Sequence, residues 1–425
     1  MCQGCHKPKE AAATPAPAAP LLQVPTPIAH PKTAGANSCF DCHSKLGGKN
    51  ADMAAQWQQS VHAERGVTCA DCHGGNPAAT TKEEAMSAEA GYVGVPAKAA
   101  IPALCASCHA DVAQMRQYNL PTDQYAQYQE SVHGTLLAKG DASVATCYDC
   151  HGGHQVLKAN DPASSVYPAN VPKTCAGCHA DKPLMAPYKI PTDQYDQYVQ
   201  SVHGHAVLDE QNFKAPTCAT CHGTHGAAPP GVSEVANVCG SCHAATQTYF
   251  SKSPHAQNSA DDPKCVNCHG DHDVGVPSEA LYSGSASQHC GACHTPDSAP
   301  GKTAQSINDN ITSAANAYTE AEDGLKVARQ LGMLVTPQEN QLREANTSLI
   351  TARAAQHTLN LDTVLKNTDN ARKIADQAKA AAAAAVAESV FRRRAMVIAV
   401  VAIALTIAAL YLLKRELDRR LESDM

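Results

Sequence analysis

The chain has 425 residues and a formal charge of −7; it is only 4% aromatic, with one Trp and four Phe. That is poor material for a side-chain core in a chain this long, and the acidic balance argues against a nucleic-acid partner while suiting a basic docking surface. Its 20 cysteines decide the class.

Every cysteine belongs to a Cys-x-x-Cys-His unit. In chain order the pairs are Cys2 and Cys5, Cys39 and Cys42, Cys69 and Cys72, Cys105 and Cys108, Cys147 and Cys150, Cys175 and Cys178, Cys218 and Cys221, Cys239 and Cys242, Cys265 and Cys268, and Cys290 and Cys293. The histidines that close them are His6, His43, His73, His109, His151, His179, His222, His243, His269 and His294. Zinc ribbons pair two such knuckles but require no His after each one. Iron–sulfur ferredoxins need a third Cys two residues on, and disulfides need no His at all. What remains is covalent attachment of c-type haem, with two thioether links and a proximal iron ligand per unit. Ten haems are the expected cofactors, and their propionates add further negative charge. The macrocycles then supply the apolar mass that side chains do not, so residues 2–294 are expected to hold short helices, long loops and almost no sheet.

The first unit stands apart. Residues 7–38 are rich in Pro and Ala, a semi-rigid spacer of about 3 Å per residue. The spacer either tethers an outlying haem or straps along the body, with His30 closing one of the irons. Residues 39–300 then show internal duplication. Residues 105–154 and 175–225 share PTDQY, a second QY and SVHG, and each ends on Cys-His-Gly-x-His. Weaker copies occupy 39–76 and 239–272, and a last attachment unit follows at 290–294.

Setting aside the ten unit histidines and His357 leaves His30, His62, His133, His154, His203, His205, His225, His255, His272 and His289. Ten remain for ten irons, which points to bis-histidine ligation. His154 lies three residues beyond His151, too close to reach the opposite face of the same porphyrin, so it is either incidental or serves a different iron. His203 and His205 are near neighbours, and one is spare if the other binds. Met53, Met115 and Met185 are the alternatives for a distal site of raised potential.

Past Pro300 the haem units stop. Ile307, Ile311, Ala314, Tyr318, Ala321, Leu325 and Ala328 recur at helical spacing, and Gly332 ends that helix. Thr336, Pro337 and Glu339 have the pattern of an N-cap, a first-turn proline and a capping box. A long second arm follows, with Leu342, Ala345, Leu349, Ala352 and Leu359 on one seam and Ile350, Ala354, His357, Leu361 and Val364 on another. The reading is a helical hairpin over 301–394, with His357 packed or bonded to a propionate, and an axial ligand as the alternative. Residues 395–413 are uncharged, about 28 Å of helix, enough for a bilayer core. Basic residues flank the run on both sides, leaving 414–425 as a short tail.

These features resemble the membrane-anchored multihaem c-type cytochromes, with modules similar to the bis-histidine domains of cytochrome c3. The resemblance covers residues 2–294 and rests on the ten units, SVH and Cys-His-Gly-x-His. It implies a mostly irregular or α-helical cytochrome domain with a haem-packed core, followed by the helical hairpin and one C-terminal transmembrane helix. It implies that His154, His225 and His272 ligate neighbouring haems, and Asn76 in that slot leaves one iron of the first module to borrow a ligand. It implies haem attachment outside the energy-conserving membrane, hence export, a leader ahead of Cys2, and a single-pass protein of the inner membrane with its tail in the cytoplasm. The implied activity is electron transfer rather than catalysis, as a subunit of a respiratory or photosynthetic complex that exchanges electrons with membrane or enzyme partners and a soluble periplasmic carrier. The rival classes are a multihaem reductase of nitrite, hydroxylamine or a sulfur oxyanion, which needs one open iron, and an extracellular conduit. The hairpin also looks like the C-terminal helices of nitrite and hydroxylamine enzymes, though without shared motif residues.

Overall fold

The computed structural model describes residues 37–228, 235–257, 263–278, 281–282 and 290–423. The first attachment unit (Cys2, Cys5 and His6), most of the Pro/Ala spacer, His30 and His289 lie outside them. The chain divides into two units, Met1–Thr192 with Phe213–Ala228 and Asp193–Asn212 with Pro229–Met425. The described residues contain helices, turns and loops and no β-strand.

In the first unit, short helices carry the attachment motifs, and the sequence explains two patterns. Cys69–His73 and Cys147–His151 follow Thr68 and Thr146, whose amides and hydroxyls donate to Asp71 and Asp149 at 2.6–3.0 Å. That is a capping box, and it sets a carboxylate at the positive end of each helix. Ile101–His109 and Val171–His179 are instead nine-residue helices opened by Pro102 and Pro172, which fit where no intrahelical amide donor is needed. Gly152 ends the Cys147 helix at φ +81°, a left-handed backbone that lets the chain turn away at once and carry His154 elsewhere.

The SVH segment is a second device. Ser60, Ser131, Ser201 and Ser253 are all buried. The hydroxyls of Ser60, Ser131 and Ser201 cap the helix that follows by accepting from Ala63, Gly134 and Gly204. The next amide donates to a loop carbonyl two residues past a Cys-His-Gly-x-His histidine. Val61 bonds Val156 and Val132 bonds Ala227 in the first unit, and Val202 bonds Val274 in the second, at 2.8–3.0 Å. Each histidine of SVH is thereby tied in register with a histidine from another repeat.

In the second unit, Ala299–Gln330, Thr336–Ala355 and Leu361–Ser423 form a bundle. Three helices stand where the sequence suggests two, because the long arm breaks at residues 356–360. Gln356–Thr358 is a single 3-10 turn, Leu359 is left-handed at φ +55°, and the Asn360 side chain caps the next helix through Thr363. The capping box expected at Thr336 also gives way. Thr336 is the first helical residue, and the Glu339 carboxylate turns to Arg329 at 3.3 Å. Gly332, at φ +81°, closes the first bundle helix, with the Met333 amide reaching back to Ala328, a Schellman ending.

The bundle core has a heptad period. Ala314, Ala321, Leu325 and Ala328 pack with Leu342, Ala345 and Leu349 and with Ala371, Ala375, Ala378 and Ala382, and Ala304, Ile307, Ala352, Val364 and Thr368 are buried on the same helices. Alternating spacings of three and four keep each seam on one face, and the run of alanines lets the third helix approach closely. Ser389 is the last buried residue of that seam; from Val390 to Arg415 the helix is exposed. This third helix is the one among the described residues long and apolar enough to cross a membrane.

Candidate functional site

The repeats bring histidine side chains together in pairs. In the first unit His62 faces His109, His73 faces His154, His133 faces His179 and His151 faces His225, with ring centroids 6.1–6.2 Å apart. In the second unit His203 faces His243, His255 faces His294 and His269 faces His357, at 6.1–6.4 Å. Two imidazoles bound to one metal through bonds of roughly 2 Å, with each ring centroid about 1 Å behind its nitrogen, would stand about 6 Å apart. The observed spacing is one that two imidazoles held by a single metal would show. Among the described residues no group of three or more His, Cys, Asp or Glu converges as a bare metal ion would require.

Two further observations fit a haem. The His73 Nδ1 lies 2.7 Å from the Gly94 carbonyl and the His222 Nδ1 lies 3.2 Å from that of Ala228. A carbonyl only accepts, so the proton sits on Nδ1 and the Nε2 lone pair is left for a metal. Burial lowers the pKa of His62, His109, His133, His151, His154, His179, His203 and His225, with the facing histidine adding to the effect in several pairs. The neutral ring is the ligating form.

The cysteines order the sites. Every described cysteine is a free thiol rather than half of a disulfide, as thioether attachment requires. The first cysteine of each described unit is half-buried, whereas the second is exposed in several, among them Cys42, Cys221 and Cys242. Cys105 adjoins Cys147, and Cys175 adjoins Cys218. Cys39 lies within electrostatic reach of Cys69, Cys72 of Cys108 and Cys150 of Cys178. In the first unit each attachment site from Cys39 to Cys218 thus adjoins the next in the chain. The second unit repeats this, with Cys239 beside Cys265 and Cys268 beside Cys290 and Cys293. Contacts between first cysteines alternate with contacts between second cysteines across the first unit.

The pairing has an offset that sequence reasoning missed. His62, His133, His203 and His255 each face the second attachment unit downstream. His154 and His225 each face the second unit upstream, not the adjacent one. His272 lies beside Asp271 at 3.3 Å.

Two histidines differ from expectation. His205 is not turned to a proximal ring; it is exposed, and its Nδ1 contacts Asp209 at 2.5 Å. Residues two apart on a helix point to different faces, so with His203 aimed at His243, His205 is directed elsewhere. His357, read as packed or propionate-bonding with axial ligation as the alternative, faces His269. Asn360 and Asp362, good helix-starting residues, were the available sign that the chain breaks there. Met115 and Met185 are buried, but the rings facing His109 and His179 are those of His62 and His133.

Residues 61–180 match the family model of cytochrome c3. That span holds the Cys69, Cys105, Cys147 and Cys175 units and three of the facing pairs. The chain therefore carries a cytochrome c3-like domain of the multihaem c-type kind, which implies covalently bound haem and supports an electron-transfer cytochrome. No curated protein matches the chain, and no solved structure matches it.

Proposed function

We propose that the chain is a membrane-anchored decahaem electron-transfer protein rather than an enzyme. The observation that carries this reading is the set of facing imidazole pairs, which leaves a substrate no axial position at those irons. A haem bound there supplies reversible one-electron oxidation and reduction at its iron. The protein's part is to bury the sites, hold each histidine in its neutral tautomer and set successive attachment units side by side.

Residues 395–413 anchor the chain in the inner membrane, with the haem domain on the periplasmic side and the basic tail in the cytoplasm. Its partners are the integral and peripheral subunits of a respiratory or photosynthetic complex and a soluble carrier with a basic docking face. Spectroscopy of the purified full-length protein tests the reading. Ten covalent haems, all low-spin in the ferric state, are expected. A high-spin ferric signal accompanied by nitrite or hydroxylamine reduction would assign the chain to the reductases instead.

A further inference from the structure

One of the facing histidines belongs to no repeat. His357 stands 6.1 Å from His269, centroid to centroid, at the spacing found in the pairs that the repeats build. Three separate features hold it there. Its Nδ1 lies 3.1 Å from the Ala354 carbonyl, which fixes the proton on that nitrogen and leaves Nε2 as a donor for a metal. The 3-10 turn that carries it ends at Leu359 in a left-handed conformation, and the Thr358 hydroxyl donates to Ala355 at 2.7 Å. A non-glycine residue in that region costs on the order of 1–2 kcal/mol, so the interruption is maintained against a backbone preference. Finally, the Tyr282 hydroxyl donates to the Gln356 amide oxygen, and the helix Ala244–Phe250 packs against the turn.

The offset of the repeats shows what this arrangement replaces. His154 and His225 each reach back to the second unit upstream, so the unit at Cys265 calls for a histidine just after a second unit downstream. The last unit, at Cys290, is only one step away. We infer that His357 fills this slot as the second axial ligand of the haem attached at Cys265 and Cys268. The helical bundle thus supplies what another repeat would have supplied, and ligation of that iron is coupled to folding of the anchor. The break at 356–360 is then part of the site: a continuous helix would leave residue 357 in the helix body, without the turn that presents it to His269.

This inference rests on the reading of the facing pairs as haem ligands, and the experiment separates the two. His357→Ala is made in the full-length protein purified from membranes. Covalent haem content is expected to stay as in the unsubstituted protein, one haem equivalent is expected to turn high-spin in ferric spectra, and added imidazole is expected to restore the low-spin signal. His357→Met should keep that haem low-spin and raise one midpoint potential. A His357→Ala protein with full haem content, unchanged spin state and unchanged potentials overturns the assignment. If His357→Ala does not accumulate, unchanged potentials in His357→Met overturn it instead. Failure of the underlying reading shows elsewhere, as missing haem or high-spin iron in the unsubstituted protein.

Discussion

At the scale of single residues, the glycine of SVHG is set by a close approach. A Cβ on Gly134 would lie 1.9 Å from the Tyr128 carbonyl oxygen, and the same holds for Gly204 and Tyr198. The helix that presents His133 can therefore start against the preceding helix only without a side chain at that point. Gly134→Ala is expected to cost about 1–3 kcal/mol through the forced shift and to disturb the low-spin spectrum of one haem. Gly177→Ala, where a Cβ meets nothing within 4 Å, should keep the spectrum and gain up to about 1 kcal/mol from helix propensity. Melting curves and absorption spectra of the two variants check this.

The paired histidines also set a pH response. Burial lowers the pKa of His62, His133, His151 and their partners, so the folded state holds fewer protons than the unfolded chain. Their stabilising contribution is fully present above the ordinary histidine value, near pH 6.5, and is lost as pH falls below it. Acid titration should show the low-spin signal and the folded state failing together, and titration toward pH 8 should change neither. Loss of fold on the alkaline side of neutrality would contradict the assignment.

At the scale of elements, the bundle depends on small side chains. Ala371, Ala375 and Ala378 are fully buried where the third helix meets the first two. Ala378→Leu adds three carbons to a seam without room and is expected to destabilise by about 1–3 kcal/mol. Ala380→Leu, on the exposed face, should be close to neutral. Thermal unfolding followed by circular dichroism distinguishes them, because equal effects would mean that the seam is not packed as described. The Lys379–Glu320 ion pair spans the same helices, yet both side chains are more than half exposed, so it contributes little beside the alanine seam.

At the scale of the whole molecule, the third bundle helix runs about 45 Å from Leu361 to Val390 before its apolar segment, at 1.5 Å per residue. His357 and its partner thus mark the end of the bundle away from the span. The last buried residue of the seam is Ser389, so a chain ending at Val390 retains the whole packed bundle. Such a truncation is expected to be recovered without detergent, with the haem content and spectrum of the full chain. The full chain should fractionate with membranes and need detergent. A truncated protein that still sediments with membranes would place the attachment elsewhere.

Much of this molecule is written locally. Covalent haem attachment needs two cysteines, a spacer and a histidine within five residues, so all ten units are legible in the chain, as are the apolar run near its end and the amphipathic period of 307–328. A bis-histidine count could likewise be made from residue numbers alone. Which histidine meets which could not, because the opposing rings are up to 88 residues apart in the chain (His269 and His357) and the pairing depends on how repeats interlock. His205 and His357 show the difference. The first sits in a repeat and carries the expected residue type, yet its place on the helix turns it to Asp209. The second sits outside every repeat, and a break in a helix directs it to His269. Composition and spacing determined that haems are held and how many attachment sites exist. Only the tertiary structure decided which histidines face one another, because that depends on how the repeats and the bundle fold together and not on proximity in the sequence.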